Sequence, residues 1–338
     1  MWVHVATAML PFLCVTSASA STTPLNYLTS FGAKADATRP LTWGVTAISV
    51  AVIATITLLL CAAIWRRPGF ALAAPGERRE VSPESGGLNW LWIGVGLSSL
   101  VLLLSVVWTV AVLADISRPV SKPSVVIEVT GKQWWWQVRY LSEDPSRVFA
   151  TANEIHIPTG EPVLFKLVGG DVIHSFWVPA LAGKTDTIPG QTNETWLEAR
   201  QPGTYRGQCT EYCGIEHAHM SLVVIAQSPS DFAAWETHQL QSPVEPNGQA
   251  LAGMTAFNMR CAGCHAVRGT TAAGMLGPDL SHLMQRTTLG AGTLPNDPQH
   301  LAQWVSDPQG AKPGNLMQKP ELSGAEMASI DAYLETLQ

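Results

Sequence analysis

Residues 209–220 read Cys209-Thr210-Glu211-Tyr212-Cys213-Gly214-Ile215-Glu216-His217-Ala218-His219-Met220, a turn between two strand-like runs that decides how the chain is organised. Far upstream, a second imidazole stands in Asp171-Val-Ile-His174-Ser-Phe-Trp177-Val-Pro179. Two thiolates, two imidazoles and a thioether are a soft donor set that suits copper. Thiolates four residues apart on one loop can both bridge a pair of copper ions. Each ion then takes one imidazole, with Met220 weakly on one and a backbone carbonyl on the other. Sharing one unpaired electron across the pair keeps bond lengths nearly fixed on reduction, which favours rapid electron transfer. A Cys209–Cys213 disulfide, or a four-cysteine zinc site shared with Cys261 and Cys264, would use the same thiols. Neither gives His217 and Met220 a role at their offsets. His219 is out of step with the ligand set and reads as a surface residue or one that packs just outside the ligands.

Around this loop the chain is β-rich, with runs at Val125–Val129, Glu154–Ile157, Val163–Val168, Val172–Val178 and Met220–Ile225, broken by Gly, Pro and Asn. Strands at this spacing predict a sandwich or Greek-key barrel of about 100 residues. Upstream of it, Leu41–Trp65 and Trp90–Leu113 carry no charge and are each long enough, at about 1.5 Å per residue, to cross a ~30 Å hydrocarbon core. Trp90, Trp92 and Trp108 sit where interfacial anchors belong. The connecting loop holds Arg66, Arg67, Arg78 and Arg79. Positive-inside bias therefore puts that loop in the cytoplasm and everything after Asp115 on the periplasmic or outer face. Met1–Ala20, apolar from Val5 to Val15 and ending Ala18-Ser19-Ala20, reads as a cleaved signal peptide and requires the same topology.

Downstream, Ser230–Gln239 predicts a short amphipathic helix, and Gln241–Gly248, with two Pro and one Gly, a linker. Then comes Cys261-Ala-Gly-Cys264-His265. C-x-x-C-H is the attachment signature of a c-type haem, both thiols adding to the vinyls and the adjacent His binding iron. A thioredoxin-like redox pair is disfavoured by the exported context and the lack of a βαβ pattern.

Composition sets outer limits. A chain of 338 residues at ~150 per domain holds about two domains. Twenty Lys and Arg against 26 Asp and Glu give −6, which offers no support for nucleic-acid binding. Only 14% of residues are charged, against roughly 25% in an average soluble domain, so a purely cytosolic globular protein is excluded. With 46% apolar residues and 13 Trp, a disordered chain is excluded too.

Gly131-Lys-Gln-Trp134-Trp-Trp136, the His174 segment, Lys184-Thr-Asp186-Thr-Ile-Pro-Gly190 and Cys-x-Glu-x-Cys-Gly-x-x-His-x-x-Met together resemble cytochrome c oxidase subunit 2 up to about Gln227. The rest, from about Gly248 to Gln338, resembles a class I cytochrome c domain, a fusion of the kind found in caa-type oxidases. The resemblance implies a multidomain membrane protein: signal peptide 1–20, membrane helices 41–65 and 90–113, a cupredoxin-like Greek-key β-barrel at 116–228, a short helix and linker at 229–247, and an all-α cytochrome c domain at 248–338. It implies copper-A ligands His174, Cys209, Glu211 (through its carbonyl), Cys213, His217 and Met220. The Glu211 carboxylate would reach a magnesium ion at the interface with subunit 1. Trp134 would be the exposed aromatic at which electrons arrive. Cys261 and Cys264 would hold one covalent haem c, with His265 and Met317 as axial ligands and the Pro278 carbonyl orienting His265. Met275 and Met284 are rivals to Met317, whose Lys312-Pro-Gly-Asn-Leu-Met317 context favours it. Trp304 would pack near a haem propionate.

The implied activity is that of the electron-uptake subunit of a haem–copper terminal oxidase in a bacterial inner membrane. Its partners would be subunit 1, subunit 3, and an external donor such as a soluble cytochrome c or a quinol–cytochrome c reductase. Nitrous oxide reductases share copper-A but lack the helix hairpin and the Glu211-type residue. Quinol oxidase subunit 2 shares the fold but typically lacks both Cys. Departures from the pattern are Lys132 and Trp135, where His and Tyr are usual, and Asn89, near the place of a proton-path Glu, with Glu84 five residues away.

Overall fold

The structure, a computed structural model, describes residues 25–66 and 87–338. The expected leader, Arg67, Arg78, Arg79 and Glu84 lie outside the described residues. Helix α1 (Ala33–Trp65) and helix α2 (Gly87–Ile116) form an antiparallel hairpin in which Gly44 lets the Trp108 ring sit against the α1 backbone. Leu58, Leu59, Ile64, Leu102, Leu103 and Leu104 face outward along both helices. At about 1.5 Å per residue each helix exceeds a ~30 Å hydrocarbon core, and an outward apolar surface is what lipid would cover.

Helix α1 starts at Ala33 instead of Leu41, and its first turns carry Lys34, Asp36 and Arg39. Protein, rather than lipid, surrounds the first of these. The Ala33 and Ala35 amides donate to the carbonyls of Glu198 and Leu181. Lys34 Nζ donates to Thr195 Oγ1 at 2.9 Å, and Asp36 pairs with Arg200. At the same end of the hairpin, where α2 leaves it, Trp196 Nε1 donates to the Ile116 carbonyl at 3.0 Å. The hairpin is thus stitched to the domain that follows it.

That domain is a sandwich of ten strands: β1 (Val125–Lys132), β2 (Trp135–Leu141), β3 (Phe149–Ala152), β4 (Glu154–Pro158), β5 (Val163–Gly169), β6 (His174–Trp177), β7 (Thr185–Thr187), β8 (Thr192–Leu197), β9 (Gly203–Cys209) and β10 (Ser221–Gln227). One sheet runs β3-β2-β1-β5-β8 and the other β4-β10-β9-β6-β7. β1 pairs in parallel with β5 and β10 with β4; the other neighbours are antiparallel. The period-2 alternation of β-strands sorts the side chains. Ile127 and Val129 of β1 and Trp136, Val138 and Tyr140 of β2 point into a core shared with Phe165, Leu167, Phe176 and Val224. The strand spacing predicts such a sandwich, and the family resemblance its cupredoxin-like architecture.

Helix α3 (Pro229–Gln239) is capped by Ser228, whose hydroxyl accepts from the Asp231 amide, and it returns Phe232 and Trp235 to the sandwich. After residues 240–247, helix α4 (Gly248–Arg260) opens an α-helical domain completed by α5 (Pro298–Ser306), α6 (Pro308–Ala311) and α7 (Gly324–Leu334). Helices α4 and α7 cross at Gly253, where an added Cβ would overlap the Ser329 carbonyl. Tyr333 and Leu334 of α7 face inward against Phe257, with Leu301, Val305, Ile330 and Leu337 completing the core. Ser323 and Glu326 form a capping box at the start of α7.

Candidate metal and haem centres

Strand pairing assembles the first centre. Antiparallel β6 and β9 place Phe176 opposite Cys209, so His174, two residues along the same face, looks onto the loop that leaves β9. That loop returns into β10 directly after Met220, and the Cys209 amide bonds the Met220 carbonyl across its neck. Cys209 Sγ and Cys213 Sγ lie 3.8 Å apart. His174 Nδ1 is 4.0 Å from Cys209 Sγ, His217 Nδ1 is 3.5 Å from Cys213 Sγ, and Met220 Sδ is 3.9 Å from Cys213 Sγ. The Glu211 carbonyl is 3.3 Å from Cys209 Sγ. All six groups expected from the sequence therefore converge, and His174, Cys209, Cys213 and Met220 are buried. The Glu211 carboxylate does not join them. It turns outward toward Lys184, 3.7 Å away.

A disulfide needs sulfurs at about 2.05 Å; the two thiols are free and much further apart. The His/Cys group that gathers among the described residues contains His174, Cys209 and Cys213, without Cys261 or Cys264, which removes the four-cysteine zinc alternative. Electrostatics favour a cation. The hydrogen bond from Cys213 draws Cys209 well below the ordinary thiol range, and the same bond holds Cys213 above it. The thiol pair so holds a proton that a metal would displace. Burial alone would lower His174, but hydrogen bonds to Cys209 and Asp171 outweigh it. A carboxylate only accepts, so His174 Nε2–H donates to Asp171 Oδ1 at 2.7 Å, and Nδ1 is turned to the sulfurs. Two bridging-capable sulfurs with an imidazole beside each, a thioether and a carbonyl fit a copper pair.

Two residues around this centre, Asp171 and Gln133, were not singled out from the sequence. Asp171 also accepts from the Gln133 amide at 2.6 Å, which ties the His174 turn to β1–β2. Gln133 Nε2 and Trp134 Nε1 both donate to the Cys213 carbonyl, at 2.7 and 2.9 Å. Asp171, three residues before His174, carried the one legible signal: a carboxylate spaced to hold an imidazole. His219 points away, its Nδ1 2.6 Å from Glu216 Oε2.

Trp134 departs from expectation. It is not an exposed aromatic: only 8% of its surface is accessible. Its indole packs on Gly214, and its carbonyl is capped by Lys312 of the α-helical domain at 2.7 Å. The C-terminal domain packs over this residue through Lys312 and Gly314.

The second centre follows α4. The Cys264 and His265 amides both bond the Cys261 carbonyl at 3.0 Å, so the signature is wound into a single tight turn. His265 Nδ1–H donates to the Pro278 carbonyl at 2.9 Å, as the family resemblance implies, which leaves Nε2 as the free lone pair. Burial lowers the His265 pKa and keeps that ring neutral. Burial also pushes the Cys261 thiol up to about 11. An added Cβ at Gly277 would stand 2.5 Å from His265 Cε1, so only Gly lets the chain pass this ring. Two thiols, a neutral imidazole and a glycine-walled cradle fit a covalent haem. Among the three methionines, Met284 packs against the domain core and Met275 is 73% exposed. Met317 sits on a loop locked by its own hydrogen bonds: its amide donates to Asn315 Oδ1, and Gln309 Nε2 donates to its carbonyl. Trp304 packs beside Gly290.

Comparison with known proteins gives two family matches. Residues 137–227 match the cytochrome c oxidase subunit II periplasmic domain, and residues 250–338 match cytochrome c. Cytochrome c oxidase subunit 2 of Alkalihalophilus pseudofirmus is 42% identical over 228 residues, which cover 66% of this chain and 64% of that one. Its counterpart in Bacillus sp. (strain PS3) is 31% identical over 284 residues, 78% of each chain. Among solved structures, the periplasmic domain of subunit II of cytochrome oxidase from Bradyrhizobium japonicum is 34% identical over 36% of this chain and 96% of that one, with a TM-score of 0.33.

Proposed function

The chain belongs to the cytochrome c oxidase subunit 2 family, and from that premise we propose that it is the electron-uptake subunit of a haem–copper terminal oxidase, carrying its own cytochrome c. It would take electrons from an external donor and hand them to subunit 1, where oxygen is reduced to water with proton translocation. With copper-A and haem c bound, two one-electron carriers would stand in series. His174, Cys209, the Glu211 carbonyl, Cys213, His217 and Met220 would hold the copper pair. Cys261, Cys264, His265 and Met317 would hold the haem, and His/Met ligation leaves no open position for oxygen.

The chain's own residues do the preparatory work. Asp171 fixes the His174 tautomer, and Pro278 fixes that of His265. Burial of Cys209 and Met220 excludes water from the metal loop. Glu211, whose carboxylate lies on the open side of that loop, is the residue that would meet a magnesium ion at subunit 1. The hairpin would anchor both domains on the outer face of a bacterial inner membrane, beside subunits 1 and 3. The donor would be a soluble cytochrome c or a quinol–cytochrome c reductase. Trp134 would serve electron arrival from within the chain.

The observation that carries this reading is the packing of the C-x-x-C-H domain on the copper loop itself, through Lys312, His219 and Trp134. Purification from native membranes tests it. We expect an oxygen-reducing haem–copper subunit to co-purify, with two copper ions and one covalent haem assigned to this chain by metal analysis and EPR. Isolation without such a subunit, or with no copper or a single ion in matured protein, would overturn it.

A further inference from the structure

Lys312 lies in the loop that precedes Met317, yet its ammonium ends in the neighbouring domain's metal loop. The side chain is 2% exposed. Its Nζ donates to the carbonyls of Trp134 at 2.7 Å, His219 at 2.7 Å and Gly290 at 2.8 Å. All three ammonium protons are used, two of them on the copper domain and one within the haem domain. An ammonium removed from water is costly unless fully bonded, and here it is. Burial pushes its pKa down to about 8, so it remains charged near neutral pH.

The loop around it is rigid. Asn315 Nδ2 donates to the Lys312 and Pro308 carbonyls, Gln309 Nε2 to those of Asn315 and Met317, and Gln309 Oε1 accepts from the Gly314 amide. Whatever holds Lys312 therefore holds Met317. On the copper side, the same Trp134 whose carbonyl receives Lys312 donates its indole N–H to the Cys213 carbonyl. An unbroken run of hydrogen bonds so joins the Met317 loop to a copper-ligand backbone. Next to the clamp, the Ser221 amide donates to the Ala291 carbonyl at 3.1 Å. Farther away, the Thr287 amide and hydroxyl donate to Glu154 Oε2.

We propose that Lys312 is a positioning residue for electron transfer within the chain: it clamps the haem-bearing domain to the copper loop and fixes the Met317 loop over Trp134. The proposal rests on the functional reading above, and goes beyond it in assigning the orientation of the two carriers to one side chain. The three hydrogen bonds of Lys312 go to main-chain carbonyls, none of them on a residue assigned to copper or haem.

The test uses the intact oxidase with Lys312→Met, and with the milder Lys312→Gln should the first fail to assemble. Two readouts are taken. The first needs no electron transfer: amide hydrogen exchange at Ser221 and Thr287, both bonded across the domain boundary, should rise at least tenfold. The second is haem-to-copper electron transfer after photochemical injection of an electron into haem c. It should slow at least tenfold and become dependent on solvent viscosity, while both midpoint potentials and the copper EPR signal stay at parent values. Unchanged exchange, or a viscosity-independent rate within twofold of the parent, overturns the clamp. A rate loss matched by a shifted potential overturns it too, because Lys312 would then act on a carrier's energy. Absence of the copper signal in the parent overturns the functional reading instead.

Discussion

Asp171→Asn is the sharpest probe of the metal loop, because it changes charge with almost no change in shape. Asp171 accepts three hydrogen bonds, from His174 Nε2 at 2.7 Å, from the Gln133 amide at 2.6 Å and from its neighbour Val172 at 2.6 Å. A hydrogen bond to a charged group contributes roughly 1.5–3 kcal/mol and a neutral one roughly 0.5–1.5. Asparagine keeps one acceptor oxygen, so the His174 bond weakens by about 1 kcal/mol and the Gln133 bond is opposed by an amide N–H. A net loss of about 1–3 kcal/mol corresponds to roughly a 5- to 150-fold fall in copper affinity, which brackets the usual 10- to 100-fold effect of a partner that orients a metal-binding imidazole. The oxidised centre, being more positive, loses more than the reduced one. Each ~1.4 kcal/mol of that difference raises the one-electron potential by about 60 mV. Chelator competition and spectroelectrochemistry on the matured protein measure both. Affinity and potential equal to the parent's would refute the assignment of Asp171 as the holder of His174.

Three other outcomes follow from the same geometry. His217→Ala should abolish copper-A absorption and leave the haem c spectrum intact; loss of both would mean that the two domains fold as one. For Glu154, burial pushes the carboxyl up, but hydrogen bonds from His156 and from the Thr287 hydroxyl and amide outweigh it and hold the pKa below the ordinary Glu value. Its stabilisation is therefore complete above the unfolded pKa and is lost as pH falls through the lower folded one. Glu154→Gln should remove that acid sensitivity and weaken domain docking by about 1–3 kcal/mol, read as Thr287 amide exchange between pH 7 and pH 4. Gly253→Val should lower the thermal midpoint of the haem domain, since overpacking costs roughly 1–3 kcal/mol and here meets the Ser329 backbone. An unchanged melt, followed by haem absorbance, would refute the close α4–α7 crossing.

The parts of this molecule that were legible in its sequence are those written in side chains close together along the chain. Five of the six groups in the copper loop fall within twelve consecutive residues, and C-x-x-C-H within five. Uncharged runs mark the hairpin, and the β-branched run Val125–Val129 marks a strand. What escaped is written in backbone carbonyls and in contacts distant along the chain. Nothing local distinguishes Lys312 from a solvated lysine, since its three partners are main-chain oxygens of Trp134, His219 and Gly290. Trp134 is buried by a domain that begins more than a hundred residues later. The first turns of α1 look too polar for a membrane helix because Leu181, Thr195, Glu198 and Arg200, which receive them, lie in the sandwich.

The polar character of the domain boundary has a physical reason. Residues 240–247 tether the haem domain, and a flexible eight-residue chain has a mean span of only about 16 Å. A tether of that length holds its domain at an effective concentration in the millimolar range, so docking needs little affinity of its own. What it does need is orientation, because a loosely held domain could present any face to Trp134. Apolar patches are poor at this, being non-directional. Hydrogen bonds from Lys312 to Trp134 and His219, from Arg268 to the Val148 carbonyl at 2.8 Å, and from Lys132 to the Met275 carbonyl at 3.2 Å each accept a narrow range of angles. Together with Glu154 and Thr287 they grip the haem domain at separated points, which defines its rotation as well as its distance. On this argument, lengthening the tether with a flexible insert should cost the intact protein little, while the same insert in Lys312→Met should slow transfer much further, because only then does finding the right face depend on chance encounters.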